Sequence, residues 1–380
     1  MSTSGPEGSV MLAAGGSGGH LFPAFALAEE LGRRGIAVDL MTDMRGDRYG
    51  TGFPARQVYQ VPAATISGAN PLSAAKSIFT LAKGVGAARR ILNEVRPSAV
   101  IGFGGYPSFP PIVAASLMGL PTALHEQNAV LGRANRMLSR RVTVVATSFE
   151  NVRLLEGAAA EKARLTGNPV RDAVLQEAGR AYVPSAEGAP FYLLVFGGSQ
   201  GARFFSETVP PALRLLPEHL QARLSVIQQA RPEDAETVQK AYAGDGNLPM
   251  IAAEVAPFFK NLPELMAASH LVIARAGAST VAELTVLGRP SILVPLPHAL
   301  DNDQLANATR LAEAGGAVCL EQSGITPASL ATEIARAMKD PARMASAAEA
   351  AKGQGRPDAV QRLADLVVEL MAQRSDAKTS

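Results

Sequence analysis

The chain has 380 residues, 47% of them hydrophobic and 18% charged, with a formal net charge of +2. That length and balance predict two domains, each with its own core, and exclude a disordered or fibrous chain. The single cysteine, Cys319, excludes an internal disulfide framework and fits a reducing compartment.

The charge is unevenly spread. Residues 1–171 hold 18 Lys and Arg against 11 Asp and Glu, whereas residues 172–380 hold 18 against 23. A basic half beside an acidic half predicts an anionic partner for the first, either nucleic acid or an acidic membrane surface. Residues 1–9 have neither a basic start nor an apolar core, so no secretion signal is expected. The longest uncharged stretch, 97–124, is interrupted by Pro107, Pro110, Pro111 and Pro121, which argues against a membrane-spanning helix.

In chain order, the apolar run 10–14 predicts a buried strand, followed by the turn Gly15-Gly16-Ser17-Gly18-Gly19-His20 and helical periodicity over 21–31. Glycines at a strand-to-helix turn admit a ligand close to the backbone, and the free N–H groups of the helix start favour an anionic or polyhydroxylated one. Short apolar runs at 36–42, 57–61, 99–102, 122–124, 142–146 and 164–166 alternate with helical segments. The alternation predicts a doubly wound parallel sheet. Gly167-Asn168-Pro169-Val170-Arg171 has the composition of a domain junction, and 182–190 that of a second break.

The second half opens like the first, with the apolar run from Phe191, the turn Gly197-Gly198-Ser199-Gln200-Gly201 and a helix. Further strands are expected at 193–196, 224–227, 250–252, 271–273, 291–294 and 317–320. Residues 357–373 form a helical pattern with Val360, Leu363, Leu366, Val367 and Leu370 on one face, which predicts packing back on the first domain. Two such openings half a chain apart predict two Rossmann-like halves facing a ligand cleft.

Three constellations carry chemistry. A dinucleotide-binding fingerprint needs a third glycine where this chain has Leu21, although Asp39 or Asp43 would supply its ribose acid. No Walker phosphate loop and no Cys/His metal cluster is present, and Asp301-Asn302-Asp303 reads as a cap before a helix at Gln304 rather than as a metal site. In Arg275-Ala276-Gly277-Ala278-Ser279-Thr280, a buried strand runs into a helix opening at Ala278 or Ser279, suited to a diphosphate without a metal. Glu283, one turn on from Ser279, reaches both hydroxyls of a ribose; the alternative is a solvent-exposed helix glutamate. Gly102-Phe103-Gly104-Gly105-Tyr106-Pro107 and His125-Glu126-Gln127-Asn128 each follow a buried strand, at the end where open α/β sheets bind ligands.

These motifs, in this order from Gly15 to about Gln304, resemble the MurG family. The resemblance implies a GT-B glycosyltransferase fold, with residues 1–170 as the acceptor and membrane-facing domain and 171–355 binding UDP-N-acetylglucosamine. It implies inverting transfer of N-acetylglucosamine from that donor to the 4-hydroxyl of the N-acetylmuramyl unit in undecaprenyl-linked lipid I. The product would be lipid II for peptidoglycan synthesis, made with no cofactor and no metal. Carried onto this chain, Ser17, Gly18 and Gly19 approach the donor sugar and acceptor diphosphate, and Asn128 the sugar hydroxyls. Arg171 and Ser199 hold UDP, the helix start at Ala278, Ser279 and Thr280 takes its phosphate, Glu283 its ribose, and Gln304 the sugar 4-hydroxyl. Two departures stand out. Gln228-Gln229-Ala230-Arg231 replaces the family's His-Gln-x-Gly, and Asp303 precedes Gln304.

A single displacement needs a base for the acceptor hydroxyl. His20 is the first candidate because imidazole titrates near neutral pH, with Glu126 as its rival. A helical wheel over 72–92 places Ile78, Leu81, Val85 and Leu92 on a buried face and Leu72, Lys76, Phe79, Lys83 and Arg90 opposite. That mixed face suits an anionic phospholipid surface, the alternative being an ordinary solvated helix face. The expected place is peripheral, on the cytoplasmic face of the bacterial membrane, with cell-wall synthesis and division proteins as implied partners. Nucleic acid is not expected, since stacking aromatics are missing from the patch. A UDP-N-acetylglucosamine 2-epimerase, another GT-B transferase and a non-catalytic nucleotide-sugar scaffold are the alternatives, separated by product analysis.

Overall fold

The computed structural model describes residues 8–15, 18–43, 52–65, 70–197, 203–244, 250–297 and 299–379. The chain divides into two compact units, Met1–Arg171 with Asp358–Ser380, and Asp172–Pro357. Each is built on one all-parallel sheet.

In the first unit the strands are β1 (Ser9–Ala13), β2 (Ala37–Thr42), β3 (Gln57–Gln60), β4 (Ala99–Gly102), β5 (Thr122–Glu126), β6 (Val144–Thr147) and β7 (Ala163–Leu165). Their order is β3-β2-β1-β4-β5-β6-β7, every pair parallel. Helices α1 (Gly18–Arg33), α2 (Pro71–Val95), α3 (Gly105–Leu117) and α4 (Arg133–Leu138) lie between them. Period-two alternation sorts β1 between two cores. Val10 and Leu12 pack with Leu21, Leu27 and Leu31 of α1, while Met11 packs with Ala88 and Leu92 of α2 and Ile112 of α3. The C-terminal helix, Ala359–Thr379, joins the α1 side through Leu363, Val367 and Leu370, and Asp365 pairs with Arg34 at 2.6 Å.

Two expectations change here. Pro107, Pro110 and Pro111 do not break the chain but lie within α3. Pro107 falls in the first turn, where the missing N–H would have had no helical partner. Ile78 is not buried. The inward stripe of α2 begins only at Leu81 and continues through Gly84, Ala88 and Leu92, leaving Ile78 57% exposed beside Phe79.

The second unit repeats the plan. Strands β8 (Phe191–Phe196), β9 (Leu224–Gln229), β10 (Ala252–Ala256), β11 (Leu271–Ala274), β12 (Ser291–Leu293) and β13 (Ala317–Cys319) are ordered β10-β9-β8-β11-β12-β13, all parallel. They alternate with α5 (Asp172–Glu177), α6 (Arg203–Arg214), α7 (Glu218–Gln221), α8 (Pro232–Ala243), α9 (Leu262–Ala268), α10 (Ala278–Leu287), α11 (Asp303–Glu313), α12 (Pro327–Lys339) and α13 (Pro341–Gln354). Phe191, Leu193 and Val195 of β8 share a core with Phe205 and Val209 of α6 and with Leu330 and Ile334 of α12. β10 starts later than its hydropathy predicts, because the N–H of Ile251 is taken by the Tyr242 carbonyl and pairing with β9 begins at Ala252.

In both sheets the strand order reverses direction between the first and fourth strands, β1/β4 and β8/β11. Crevices outside the carboxyl ends of such switch points are where open α/β sheets bind ligands. Both glycine-rich segments follow these strands, β1 and β8, in sequence.

Helix α2 supplies a local test of packing. A Cβ on Gly84 would lie 2.1 Å from the Pro62 carbonyl oxygen, whereas one on the exposed Gly86 would meet nothing within 4 Å. Gly84→Ala should therefore destabilise by about 2 kcal/mol through overpacking, and Gly86→Ala should stabilise by up to about 1 kcal/mol through helix propensity. Opposite shifts in the thermal unfolding midpoint are the expected result.

Candidate active site

At the first switch point, β1 turns into α1 and places His20 in the helix's first turn. Gly104 and Gly105, at the start of α3, close over its ring. Both have left-handed backbone, φ 84° and 68°, and a Cβ on either would come within 3.3 Å of the imidazole carbons. Only glycine gives this approach without strain. His20 is half-buried, with Nδ1 3.2 Å from Gln127 Oε1. Burial lowers its pKa, outweighing hydrogen bonds to Gln127 and the Phe103 carbonyl that raise it, so the ring is neutral at pH 7.

His125-Glu126-Gln127 is not a solvated polar turn. His125 and Glu126 are the last residues of β5, and all three side chains are buried. His125 Nε2 donates to the Gly167 carbonyl at 3.0 Å, and burial brings its pKa down to about 4. The Glu126 carboxylate accepts four hydrogen bonds. Oε1 takes the Asn128 backbone N–H (3.0 Å) and Nδ2 (3.3 Å), and Oε2 takes the Gly132 N–H (2.9 Å) and Asn135 Nδ2 (2.9 Å). Burial still raises its pKa against these bonds. With both oxygens engaged, Glu126 ties residues 128–135 to the sheet end. Asn135, which the sequence pattern does not single out, completes this arrangement by also donating to the His125 carbonyl.

Of the other expected residues in this unit, Gly18 is buried beneath Phe22 and Gly19 is exposed at the start of α1. Arg171 stacks its guanidinium over the Phe22 ring at 5.4 Å. Ser17 lies outside the described residues. Asp39 does not fit a ribose-binding acid. It sits inside β2, fully buried, with Arg56 Nε and Nη2 on its two oxygens at 3.1 and 2.6 Å.

At the second switch point, β11 ends at Ala274 and α10 opens at Ala278 after Gly277, which supplies no side-chain cap. The N–H groups of Ala278, Ser279 and Thr280 thus form a bare helix start with its positive dipole end. Ser279 Oγ is buried with no hydrogen-bond partner among the described residues. Glu283 is buried rather than solvent-exposed. Arg275 braces the turn. Its Nη1 donates to the carbonyls of Val294 and Pro295 at 3.2 Å, its Nη2 to Gln322 Oε1 at 2.7 Å, and its guanidinium covers Phe204 and Phe205. Asn307, buried on α11 and not anticipated, donates to the Ala276 carbonyl at 3.1 Å.

Gln304 Oε1 accepts from the Leu296 N–H at 3.0 Å. Before it, Asp301 and Asn302 are successive non-glycine residues in left-handed conformation, φ 57° and 53°. Such backbone persists where its surroundings hold it. The cap of α11 is Asn302 without a side-chain hydrogen bond, while Asp303 Oδ1 accepts from the Gln304 N–H and its pKa is raised by burial. Of the departing pair, Gln228 points into the core against the Tyr242 hydroxyl, and Gln229 Oε1 holds the Gly197 N–H at 3.3 Å. Ser199 lies outside the described residues.

The glycosyltransferase family 28 N-terminal domain matches residues 10–147 and the family's C-terminal domain residues 192–363. Over 371 residues, 97% of both chains, this one is 50% identical to the UDP-N-acetylglucosamine--N-acetylmuramyl-(pentapeptide) pyrophosphoryl-undecaprenol N-acetylglucosamine transferase of Rhizobium rhizogenes. Among solved structures it is similar to MurG of Acinetobacter baumannii, with TM-score 0.78 and 30% identity over 95% of this chain and 99% of that one. A UDP-GlcNAc 2-epimerase from Neisseria meningitidis has TM-score 0.65 over 96% of this chain and 100% of its own, but at 14% identity it shares the fold alone.

The buried His125 makes stability pH-dependent. Unfolded it titrates near 6.5 and folded near 4, so its contribution is complete above pH 6.5 and is lost as the pH falls toward 4, about 3 kcal/mol in all. Urea unfolding at stepped pH should show that loss, and His125→Gln should flatten it; equal slopes for the two proteins would contradict the assignment.

Proposed function

The chain belongs to glycosyltransferase family 28, and on that premise we propose that it moves N-acetylglucosamine from UDP-N-acetylglucosamine to the 4-hydroxyl of the N-acetylmuramyl unit of lipid I, forming lipid II. The observation that carries this reading is the 50% identity, along 97% of both chains, to the Rhizobium rhizogenes transferase of that activity. The epimerase alternative rests on a likeness of fold alone and is not favoured.

In this reading His20 takes the proton of the acceptor hydroxyl through Nε2 as that oxygen attacks the anomeric carbon from the face opposite UDP. One displacement inverts the centre. Gly18 and Gly19 keep the approach to the ring free of side chains, Ser17 is assigned with them to the donor sugar and acceptor diphosphate, and Asn128, aligned by Glu126, meets sugar hydroxyls. The donor's diphosphate sits on the N–H groups of Ala278, Ser279 and Thr280. The buried Ser279 hydroxyl supplies a further donor, and Glu283 accepts from the ribose. Arg171 and Ser199 add contacts to UDP, and Gln304 addresses the sugar 4-hydroxyl. As the glycosidic bond breaks, negative charge develops on the diphosphate, and a bare helix start is arranged to receive it. That neutralisation supports a metal-independent transfer.

The acceptor's lipid places the work at a membrane surface. Among the described residues no helix is long and apolar enough to cross a membrane. Leu72 and Phe79 on α2 are 80% and 73% exposed, with Lys76, Lys83 and Arg90 exposed on the same helix and Ile78 adding to the apolar set. Large apolar groups among cations suit an anionic phospholipid surface, each cation contributing on the order of 1 kcal/mol. We place the protein peripherally on the cytoplasmic face of the membrane, where cell-wall synthesis and division proteins are its natural neighbours.

Incubation with radiolabelled UDP-N-acetylglucosamine and a soluble lipid I analogue should move label to the lipid fraction equally with and without EDTA. His20→Ala should lower kcat by about 10²- to 10⁴-fold. Label appearing instead in the 2-epimer, or no product despite donor binding, would replace the transferase by the epimerase or the scaffold. Changing Lys76, Lys83 and Arg90 together to Glu should release the protein from anionic vesicles in a sedimentation assay; unchanged sedimentation would sink the membrane-facing role of α2.

A further inference from the structure

Gln127 lies between the two imidazoles of the first unit. Its Nε2 is 2.9 Å from the Phe103 carbonyl oxygen, 3.1 Å from the His125 carbonyl oxygen and 3.0 Å from His125 Nδ1. Two carbonyl oxygens accept from the amide nitrogen and repel the amide oxygen, so one of the two amide orientations is selected. The other end of the amide then presents Oε1 to His20 Nδ1 at 3.2 Å. An amide oxygen only accepts, which puts the ring proton of His20 on Nδ1. The Phe103 carbonyl is a further acceptor for the ring, and with its proton on Nδ1 the neutral ring keeps its lone pair on Nε2.

His125 is fixed by the same rule. Its Nε2 faces the Gly167 carbonyl, an acceptor, and so carries the proton. Its Nδ1 lone pair faces the Gln127 amide nitrogen, in agreement with the orientation that the two carbonyls impose. Every member of the chain is therefore set by the backbone. The Gly167 carbonyl sets His125, the Phe103 and His125 carbonyls set Gln127, and Gln127 sets His20. Free imidazole in water prefers its proton on Nε2, the form whose lone pair would face Gln127 instead of the acceptor.

We infer that Gln127 is a positioning residue that holds the His20 proton on Nδ1 and thereby presents an unprotonated Nε2 to the acceptor hydroxyl. This rests on His20 being the base. In the reaction, Nε2 takes the hydroxyl proton while the acceptor oxygen bonds to the anomeric carbon, and the pair from the broken bond leaves with UDP. The imidazolium so formed keeps its Nδ1–H on Gln127 Oε1, so the contact that selects the tautomer also stabilises the charged ring.

The test reads the tautomer directly. Two-bond 1H–15N correlation spectra of protein labelled in its five histidines, assigned with His20→Ala, should show His20 protonated at Nδ1 and His125 at Nε2 near pH 8. Gln127→Met fills the same space without a polar end. It should return His20 to the Nε2–H form and lower kcat on the order of 10²-fold, with KM for UDP-N-acetylglucosamine unchanged. Gln127→Glu, whose protonated carboxyl offers the same donor and acceptor, should restore the Nδ1–H form and part of kcat. A wild-type spectrum with the His20 proton on Nε2 overturns the inference without any variant having to fold, as does an unaltered tautomer in Gln127→Met. The expected tautomer beside a fully active His20→Ala would instead overturn His20 as the base, leaving Gln127 in command of a ring that does no proton transfer.

Discussion

Three consecutive polar side chains are buried at the end of β5, and a buried polar group left without a partner costs about 1–3 kcal/mol. That constraint organises the carboxyl end of the first unit's sheet. Glu126 meets it by collecting four donors, which anchors residues 128–135. His125 and Gln127 meet it with backbone carbonyls, and in doing so they leave a single free valence, Oε1 of Gln127, directed at His20. A requirement of folding thus selects the protonation geometry of a reactive group.

The second unit answers the same topology differently. Among the described residues its switch point carries no buried polar run but a helix start without a side-chain cap, braced from behind by Arg275 and Asn307. Arg275 is buried, its pKa lowered by desolvation, and its Nη1 and Nη2 are engaged by carbonyls and by Gln322, while its Nε has no hydrogen-bond partner among the described residues. Its Nη atoms serve the backbone of the turn, and the N–H groups of α10 and the Ser279 hydroxyl are groups available to an anion. Neutral donors held by a rigid frame stabilise developing charge without reorganising.

Helix α2 shows how one element divides its duties. From Leu81 onward, residues at helical spacing fill the core beneath it, and Gly84 lets the helix axis come close to Pro62 and Pro110. The turns before Leu81 are not covered in this way and carry large apolar side chains among lysines. Burial of one part of the helix fixes the orientation in which the other part is displayed.

Much of this was legible in the chain. The central strands β1, β4, β5, β6 and β11 are fully buried and fall on apolar runs, because strands covered on both faces favour continuous hydrophobicity, whereas the edge strands β3 and β10 are not buried and are less clearly marked. The glycine turns mark the switch points, and the motif order carries the resemblance that the comparisons support. What spacing could not reveal is direction. Ile78 has the period of a core residue yet is exposed, and the prolines of α3 sit inside a helix, Pro107 in its first turn and Pro110 and Pro111 beyond it. His20 stands as the first candidate for the base and Glu126 as its rival, since both are titratable residues next to strand ends. Only tertiary structure distinguishes their surroundings, by collecting four donors from residues 128, 132 and 135 around the carboxylate while bringing the Gln127 amide oxygen to the imidazole. Composition and periodicity determine which residues are buried on which element. Which atom of a buried ring holds its proton depends on carbonyls that lie 24 and 42 residues away along the chain, at Phe103 and Gly167, and these come together only when the sheet has formed.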